Sequence, residues 1–377
     1  MPIKRKLTLT ETLTKKSCFL FGARQSGKST LIDSEFKDAF KLSLLDLNLR
    51  RELIQNPNHL KKIIPPNEKL VVIDEIQKIP ELLDLIHLLI EERKIHFLLT
   101  GSSAIKLRRS GVNFLGGRAR TRYLFPFIQQ ELGTQYSLEK AANVGLIPSI
   151  YLSEEPHEDL KSYVSEYLIQ EIAAEGISRN IPSFSRFLEV AALCNAQLLN
   201  YQNVGSDSEV KRGTVKNYYD ILEETLIGYR LPAWQKSKKR KAISTEKFYF
   251  FDVGIVNSLL GRKTVSLSTP DGGYIFETLI MHEVRSWIEY TKQDYKMSFW
   301  RSTSGFEVDL LLNDEIAIEI KAKKKITPKD LAGLKALKEE QEIKKMFVIY
   351  LGDTILHEDE ITILPFQNFI DQMWNKF

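Results

Sequence analysis

The segment from Gly22 to Thr30 has the residue types and spacing that bind phosphate groups. It reads Gly-Ala-Arg-Gln-Ser-Gly-Lys-Ser-Thr, so two glycines separated by four residues are followed directly by a lysine and a hydroxyl residue. The apolar run from Ser17 to Phe21 precedes it and a helical pattern follows, which is the context that such a loop needs. The glycines let backbone N–H groups point at phosphate oxygens, and the helix N-terminus adds a partial positive charge. The pattern predicts a nucleoside triphosphate site.

We expect this loop to bind ATP together with Mg²⁺. Lys28 is placed to reach the β- and γ-phosphates, and Ser29 to supply a hydroxyl ligand to Mg²⁺. The loop residues expected to contact the cofactor are Gly22, Ala23, Arg24, Gln25, Ser26, Gly27, Lys28, Ser29 and Thr30.

Two carboxylates follow a second apolar run. Val71 to Ile73 predict a buried strand, and Asp74 and Glu75 come directly after it. We expect Asp74 to hold Mg²⁺ through water, and Glu75 to orient and deprotonate the attacking water. A third strand ends near Ser102, where a polar side chain would contact the γ-phosphate. A helix N-cap is the alternative role for Ser102.

Three arginines alternate along residues 118–122. Such alternation is typical of one solvated face of a strand, and this interpretation suits Arg120 and Arg122. Arg118 directly follows a pair of glycines and has a second interpretation, as an arginine finger that acts on the ATP of a neighbouring subunit. The second interpretation predicts a homo-oligomer.

Together these motifs resemble one protein family, the AAA+-type bacterial and archaeal ATPases whose C-terminal region is a domain of unknown function, DUF4143. The resemblance covers nearly the whole chain. Ala23 stands where many relatives have proline, and Ser29 where many have threonine; both residues are compatible with nucleotide binding. The resemblance rests on the phosphate-binding loop and on Asp74-Glu75-Ile76-Gln77-Lys78-Ile79-Pro80, Thr100-Gly101-Ser102-Ser103, and Gly117-Arg118 ahead of Phe125-Pro126-Phe127.

Four residues in the last third combine carboxylate and ammonium chemistry: Glu277 at the start of a predicted helix, Asp309, Glu319 and Lys321. The strand period of two places Glu319 and Lys321 on one face, and a hairpin would put Asp309 beside Glu319. The pattern resembles PD-(D/E)xK nucleases. The resemblance implies a divalent metal ion bound by Asp309 and Glu319, with Glu277 as an auxiliary ligand. It also implies that Lys321 is the catalytic lysine. The alternative is that these charged strand residues simply face solvent, and Val308 stands where the motif has proline.

The middle of the chain predicts an amphipathic helix with a basic start, formed by Lys211, Arg212 and Lys216. A recognition helix contacts DNA with its N-terminal residues. Two predicted strands then flank a basic tip that would meet phosphates. This arrangement resembles a winged helix-turn-helix, as in the family named above, and makes DNA a candidate partner. A small helical domain with solvated charges is the alternative. The basic residues of the tip are Lys236, Lys238, Lys239, Arg240 and Lys241, and Lys238, Lys239 and Arg240 are the ones expected to bind DNA.

Short apolar strands alternate with amphipathic helices in the first third, which predicts a parallel, doubly wound sheet. Together with the resemblances described above, this pattern leads us to expect an α/β chain of three domains. A parallel-sheet, AAA+-like P-loop domain covers 1–135, and a helical, winged-helix domain covers 136–265. A PD-(D/E)xK nuclease-like α/β domain covers 266–377. Within the second domain, Gly205 to Ser208 predict a turn between helices.

Composition narrows the class of protein. Lys and Arg total 53 and Asp and Glu 49, so the net charge of +4 does not by itself indicate nucleic-acid binding. Two cysteines, Cys18 and Cys194, exclude a disulfide framework and fit a reducing cytosol. The N-terminus lacks the apolar core of a signal peptide, and no stretch approaches the ~18 apolar residues of a membrane span. We expect a cytoplasmic protein without a membrane partner.

Two hypotheses about function remain open at this stage. The first is a Mg²⁺-dependent ATPase that acts on DNA or is regulated by it, with metal-dependent cleavage by the last domain. The second is a nucleotide-switched interaction protein whose nuclease-like domain is inactive and binds DNA or protein. Cleavage of plasmid DNA in the presence of Mg²⁺ or Mn²⁺ separates them.

Overall fold

The structure is a computed structural model that describes residues 3–102, 115–171 and 180–376. Ser103, quoted above in one of the motifs, lies outside the described residues. The chain divides into two compact units. The first contains Met1–Phe127 with Glu224–Leu226, and the second contains Ile128–Glu223 with Ile227–Phe377.

The first unit contains a five-stranded parallel sheet. Its strands are β1 Ser17–Phe21, β2 Phe40–Ser43, β3 Leu70–Asp74, β4 His96–Gly101 and β5 Ala119–Tyr123. They lie in the order β2-β3-β4-β1-β5, and every pairing is parallel. All five residues of β1 are buried, as expected for an inner strand of a parallel sheet. The parallel α/β sheet predicted for a P-loop domain is confirmed.

Five α-helices accompany this sheet in the described part of the first unit. They are α1 Thr10–Leu13, α2 Lys28–Glu35, α3 Leu47–Gln55, α4 His59–Ile63 and α5 Leu82–Arg93, with 3-10 turns at Ile76–Lys78 and Leu115–Gly117. Because parallel strands end at the same edge, the residues that follow β1, β3 and β4 come together there. The phosphate-binding loop, the Asp74–Glu75 pair and Ser102 all lie at this edge.

The second unit begins with helices and a small antiparallel sheet. From Ile181–Leu193 onward the chain order is helix, strand, helix, helix, strand, strand. The sheet has the order β6-β8-β7, so β8 is its central strand. The elements are α6 Gln129–Leu132, α7 Leu138–Val144, α8 Pro148–Tyr151, α9 Pro156–Ser162, a π-helix Tyr163–Glu171, α10 Ile181–Leu193, β6 Gln197–Leu198, α11 Tyr201–Ser208, α12 Arg212–Glu224, β7 Gly228–Leu231, β8 Lys247–Phe250 and α13 Val253–Leu259, with a 3-10 turn at Gly133–Gln135.

A six-stranded mixed sheet forms the rest of the second unit, in the order β13-β14-β12-β11-β10-β9. Along β11, Ile316, Ile318 and Ile320 pack into one core with the long helix α14, whereas Ala317 packs into a second core on the other face. The elements are α14 Pro270–Tyr290, β9 Met297–Arg301, β10 Glu307–Leu312, β11 Ile316–Lys321, a 3-10 turn Pro328–Leu331, α15 Ala332–Lys338, β12 Lys345–Tyr350, β13 Leu356–Glu358, β14 Ile361–Pro365 and α16 Phe366–Lys376.

The turn expected at Gly205 to Ser208 is wrong, because these residues form the last part of α11. The helix begins at a cap that the prediction overlooked: the Asn200 side chain accepts hydrogen bonds from the backbone N–H groups of Gln202 and Asn203. A β-carbon on Gly205 would lie 2.6 Å from the backbone oxygen of Val210. This glycine therefore allows a close approach of the chain rather than a break in the helix.

Glu277 does not begin a helix, because α14 starts at Pro270 behind a cap from the Thr269 side chain. Glu277 lies further along the helix and is buried. Of the helices in the described ranges, none combines the length and apolar character that are needed to cross a lipid bilayer.

Candidate functional site

The phosphate-binding loop folds back on the lysine that defines it. Gln25 and Gly27 have positive φ angles of 62° and 93°, so the backbone turns sharply before α2 begins at Lys28. The ammonium of Lys28 donates hydrogen bonds to the backbone oxygens of Gly22 at 2.7 Å and Ala23 at 3.2 Å. Burial lowers the pKa of Lys28, while the nearby carboxylates of Glu75 and Asp74 oppose this change. The loop thus places one buried cation within the field of two carboxylates.

Gly22 cannot be replaced without moving its neighbours. A β-carbon there would lie 2.4 Å from the backbone oxygen of Leu124 and 2.8 Å from the hydroxyl of Ser26. The loop is therefore packed directly against the chain that follows β5, and glycine is required by contact as well as by flexibility.

Arg5 joins the same two segments and was not predicted from the sequence. Its guanidinium donates to the backbone oxygen of Ser26 at 2.6 Å and to that of Phe125 at 2.5 Å. It also lies 5.1 Å from the ring centroid of Phe127. Arg5 is buried. A single arginine in a basic N-terminal run gives no periodicity or motif, so the sequence held no signal for this role.

The carboxylate pair at the end of β3, Asp74 and Glu75, is held by Thr100 near the end of β4. The Thr100 hydroxyl donates to Asp74 and accepts a hydrogen bond from the backbone N–H of Glu75 at 3.3 Å. Glu75 has a φ of 59°, in the left-handed region. Such a conformation is uncommon for a residue other than glycine and persists where the surroundings hold it. The two carboxylates are thereby turned toward the loop.

Gln77 connects Glu75 to Ser102 and is the second residue that sequence reasoning missed. Its amide nitrogen donates to the Glu75 carboxylate at 2.5 Å and to the Ser102 hydroxyl at 3.3 Å. Gln77 is buried, and a β-carbon on Gly101 would lie 2.5 Å from its amide oxygen. Its place two residues after Glu75, inside the motif 74–80, was the available signal.

The environment of Glu75 suits a proton acceptor. Burial raises the pKa of this carboxyl; Asp74 adds to the rise, and Lys28 and Gln77 oppose it. A base whose pKa is raised toward neutrality accepts a proton more readily. The structure thus brings together Lys28, Asp74 and Glu75, and links Ser102 to them through Gln77.

Arg118 is engaged within its own chain. Its guanidinium donates to the carboxylate of Glu91 on α5, and the pKa of Glu91 is lowered by this hydrogen bond and charge. The Arg118 side chain is still 40% exposed, so it remains accessible. The arginine finger stays a prediction. Arg120 and Arg122 lie on β5 and are half-buried rather than fully solvated.

The four residues predicted in the last third line one cleft of about 380 Å³. Asp309 lies on β10 and Glu319 on β11, and the antiparallel register Leu310–Ile318 places these two residues opposite one another. Lys321 is ion-paired with Glu319 and lies 3.8 Å from Asp309. Glu277 faces them from α14. The hairpin expected from the sequence therefore brings these side chains together.

A lysine from another part of the fold enters the same cleft. The ammonium of Lys247, on β8, lies 3.0 Å from Glu277, 2.8 Å from Glu307 and 3.8 Å from Asp309. Burial by itself would lower the pKa of Lys247, but the surrounding carboxylates raise it above its usual value, so the ammonium is charged. Neither Lys247 nor Glu307 was predicted to belong to this site, because a contact so distant in sequence has no local pattern.

Burial shifts two carboxyl groups of this cleft, those of Glu277 and Glu319, toward their protonated forms. It raises the pKa of Glu277 to about 7, against the opposing charge of Lys247. Burial and the neighbouring Asp309 raise the pKa of Glu319 well above its usual value. Within the described residues, no group of three or more His, Cys, Asp or Glu side chains is arranged to hold a metal ion. The side chains as placed do not fit a divalent metal, and metal binding by Glu277, Asp309 and Glu319 stays a prediction.

Comparison with protein families identifies each part of the chain. Residues 14–133 match the AAA domain family, and residues 272–369 match a domain of unknown function, DUF4143. Residues 135–266 match a further domain of unknown function, DUF8612. The chain contains an AAA domain and a DUF4143 domain. The resemblance stated from the sequence is confirmed, and residues 14–133 form an AAA-type, nucleotide-binding ATPase domain.

Three related proteins extend across most of the chain. Uncharacterized proteins of Mycobacterium bovis and Mycobacterium tuberculosis are each 22% identical over an aligned length of 351 residues, gaps included, and the alignment covers 89% of this chain and 76% of theirs. An uncharacterized protein of Methanocaldococcus jannaschii is 21% identical over an aligned length of 411 residues, gaps included, and the alignment covers 94% of this chain and 85% of that protein.

Two solved structures are similar to parts of the fold. One is the replication initiator DnaA bound to AMPPCP and single-stranded DNA, with 16% identity and a TM-score of 0.28 over 57% of this chain and 86% of that one. The other is a signal transduction ATPase with numerous domains and a tetratricopeptide repeat sensor from Pyrococcus horikoshii. It has 11% identity and a TM-score of 0.25 over 76% of this chain and 47% of that one.

The basic tip predicted to contact DNA is anchored on the DUF4143 domain. The backbone N–H groups of Lys238 and Lys239 donate to one carboxylate oxygen of Glu340, at 2.7 and 2.6 Å. Arg240 pairs with Glu339 at 2.7 Å and with Glu340 at 3.0 Å. The side chains of Lys238 and Lys239 are exposed, whereas that of Arg240 is half-buried in its ion pairs.

The basic residues around the start of α12 are arranged differently. Lys211, Arg212 and Lys216 are all exposed, and the opposite face of the helix is buried through Val215 and Tyr219. This surface is the more accessible of the two that were predicted to contact DNA.

Proposed function

We propose that the AAA domain hydrolyses ATP with Mg²⁺ at the edge of its parallel sheet. The observation that carries this proposal is the convergence of the Lys28 ammonium with the Asp74 and Glu75 carboxylates. Lys28 would bind the β- and γ-phosphates, and Ser29 and Asp74 would hold Mg²⁺, which neutralises charge on the phosphates when bound. Glu75 would accept the proton of the attacking water, with Gln77 fixing its orientation and Ser102 facing the γ-phosphate.

Replacement of Lys28 tests ATP binding. Lys28→Ala is expected to abolish the rise in melting temperature that ATP causes, because the main cation for the phosphates is removed. Lys15→Ala, which removes an exposed lysine that pairs with Glu11 in the adjacent turn, is the control. Glu75→Gln should bind ATP and fail to hydrolyse it. Unchanged ATP binding by Lys28→Ala, or full turnover by Glu75→Gln, would reject the proposed roles.

We further propose that the residues 136–265 act as a winged-helix domain that binds DNA. The element order helix, strand, helix, helix, strand, strand supports this proposal, as does the exposure of Lys211, Arg212 and Lys216 on α12. Because the basic tip is anchored to Glu340, α12 is the stronger candidate surface and Lys238 and Lys239 a secondary one.

The salt dependence of DNA binding tests this second proposal. In the variant Lys211→Ala, Arg212→Ala, Lys216→Ala, the slope of log affinity against log salt should fall by about one unit for each phosphate that is no longer neutralised. A charge-matched control removes three other exposed lysines: Lys335, Lys338 and Lys344. Equal slopes in the two triple variants would place the DNA-binding surface elsewhere.

The function of the DUF4143 domain has two candidates, a metal-dependent nuclease and an inactive binding module. The burial of Lys247 among the carboxylates favours the binding module. Incubation of plasmid DNA with the full chain and Mn²⁺ distinguishes them: we expect no cleavage. Cleavage that Asp309→Ala abolishes would establish the nuclease.

A further inference from the structure

The side chain of Lys247 reaches the carboxylate cleft from the centre of the three-stranded sheet. Its backbone pairs with Leu198 on one side and with Leu231 on the other. The strand period sends Phe248 away from the cleft, where it stacks edge-on against Tyr219 at 4.7 Å. Lys247 is therefore fixed by two strand pairings and by the packing of its neighbour, and its side chain is only 4% exposed.

Carboxylate oxygens of Glu277 and Asp309 already accept hydrogen bonds from the protein. The same oxygen of Glu277 accepts from the Lys247 ammonium at 3.0 Å and from the Tyr249 hydroxyl at 2.5 Å. One oxygen of Asp309 accepts from the backbone N–H of Ile320 at 2.8 Å. The ammonium also lies 5.3 Å from the ring centroid of Phe299, which covers it from the side.

The charges of the cleft are close to balance without any added ion. Three cations, Lys247, Lys321 and Arg301, face four carboxyl groups, of which Glu307 is paired with both Lys247 and Arg301. The fourth carboxyl, Glu319, is ion-paired with Lys321. A divalent cation placed here would add like charge to a buried ammonium in a poorly solvated site, which is unfavourable.

We propose that the Lys247 ammonium is the resident cation of this cleft, bound among Glu277, Glu307 and Asp309 where a divalent metal ion would have to sit. The cleft is then a metal-free ion-pair cluster that joins the three-stranded sheet to the six-stranded sheet. Removal of Lys247 leaves four carboxyl groups facing two cations, Lys321 and Arg301, and the excess carboxylates become the ligands of a divalent cation.

Mn²⁺ binding by the full chain without nucleotide is the direct test. Calorimetry and the shift in melting temperature both measure this binding. Wild-type protein is expected to show no saturable Mn²⁺ binding that depends on Asp309. Lys247→Met is expected to lower the melting temperature by roughly 5–15 °C, because a buried pair is broken. That variant should then gain Mn²⁺ binding and recover part of the stability, and the addition of Asp309→Asn should remove the gain.

Lys344→Met is the matched control. It removes an exposed lysine of the DUF4143 domain, which pairs with Glu315. It should neither lower the melting temperature appreciably nor create Mn²⁺ binding. Saturable binding by the wild-type chain that Asp309→Asn abolishes would overturn the proposal, as would a folded Lys247→Met chain that gains no Mn²⁺ binding. If Lys247→Met does not fold, the comparison of Mn²⁺ binding by the wild-type chain and by Asp309→Asn tests the proposal by itself.

Discussion

At the scale of single residues, the conformation of Glu75 and the orientation of its carboxylate depend on two neighbouring side chains. Its backbone has a φ of 59°, and its N–H is bound by Thr100 while its carboxylate is bound by Gln77. Because Gln77 also donates to Ser102, one amide group couples the proposed base to the proposed γ-phosphate contact. The orientation of a general base determines its efficiency as much as its pKa does. Gln77 is thus expected to act as a positioning residue.

Replacement of Gln77 by alanine should lower kcat more than it changes the affinity for ATP. A hydrogen bond to a charged group is worth roughly 1.5–3 kcal/mol, so kcat should fall by about tenfold or more. The same substitution at the exposed Gln55 on α3 is the control. A fall in kcat/KM caused only by a higher KM would assign Gln77 to ATP binding rather than to the orientation of Glu75.

Glu283 predicts a pH dependence of stability that is separate from the nucleotide site. It is buried on α14, and one of its oxygens accepts the backbone N–H of Gln129 at 2.7 Å. Burial raises its pKa to about 8, with a further contribution from Glu131. An unfolded glutamate ionises near pH ~4.3, so between about 4.3 and 8 the folded state holds a proton that the unfolded state has released. The free energy of unfolding therefore falls as pH rises through this window.

Glu283→Gln should remove that part of the pH dependence. The difference in unfolding free energy between variant and wild type should grow from pH 5 to pH 8 by on the order of a few kcal/mol, in favour of the variant. Urea unfolding at several pH values measures it. Glu342→Gln replaces an exposed carboxylate and is the control for the pH dependence that loss of an exposed carboxylate causes. A parallel pH profile for Glu283→Gln and wild type would show that Glu283 is ionised in the folded protein.

Two adjacent glycines in α14 give opposite predictions at the scale of the helix. A β-carbon on Gly272 would lie 2.2 Å from the backbone oxygen of Ser266, whereas a β-carbon on Gly273 would meet no atom within 4 Å. Gly273→Ala should stabilise the protein by about 0.5–1 kcal/mol through helix propensity. Gly272→Ala should destabilise it by roughly 1–3 kcal/mol through overpacking. Equal shifts in the denaturant midpoint would contradict the packing described for the start of this helix.

Elements with strong periodicity could be predicted from the sequence, and those defined by distant contacts could not. The apolar run Ser17–Phe21 is β1, and the run Val71 to Ile73 lies in β3, because continuous apolar residues specify a buried strand locally. The short strand β6, of two residues, exists through its pairing with β8 and has no pattern of its own. The nucleotide site could be predicted from its sequence motif. The roles of Arg5 and Lys247 could not, because they depend on contacts between residues far apart in the sequence, which leave no local pattern.

At the scale of the whole chain, long-range pairing ties the DUF4143 domain to the segment that precedes it. The chain around the basic tip runs beside the edge strand β9: Trp234 donates its backbone N–H to Phe299 at 2.7 Å, and Ile243 donates to Arg301 at 2.8 Å. The Trp234 indole also donates to Asp314 at 2.7 Å. These contacts cover an otherwise unpaired strand edge. They explain why residues on both sides of position 265 belong to one compact unit.

Assembly of several chains is the remaining prediction, and Arg118 makes it testable. Its side chain is 40% exposed and is paired with Glu91, so the ATP of a neighbouring subunit could replace Glu91 as the partner of Arg118. An arginine finger contributes on the order of 10³–10⁵ in kcat. Arg118→Ala should therefore lower kcat by at least about a hundredfold while it leaves ATP affinity nearly unchanged. Lys94→Ala is the control, because Lys94 also lies near Glu91, at 3.7 Å, without following the glycine pair.

A mixing experiment distinguishes a finger that acts on a neighbour from one that acts on its own chain. Arg118→Ala retains the proposed base Glu75, and Glu75→Gln retains Arg118, so each variant alone should be nearly inactive. In a mixed oligomer, an Arg118→Ala chain keeps its base and receives the arginine of a Glu75→Gln neighbour. ATP turnover should then reappear on mixing and should increase with total protein concentration, because the active species is an assembly. ATP turnover that does not recover on mixing, together with a wild-type turnover rate per chain that is independent of concentration, would show that Arg118 does not act on the ATP of a neighbouring subunit.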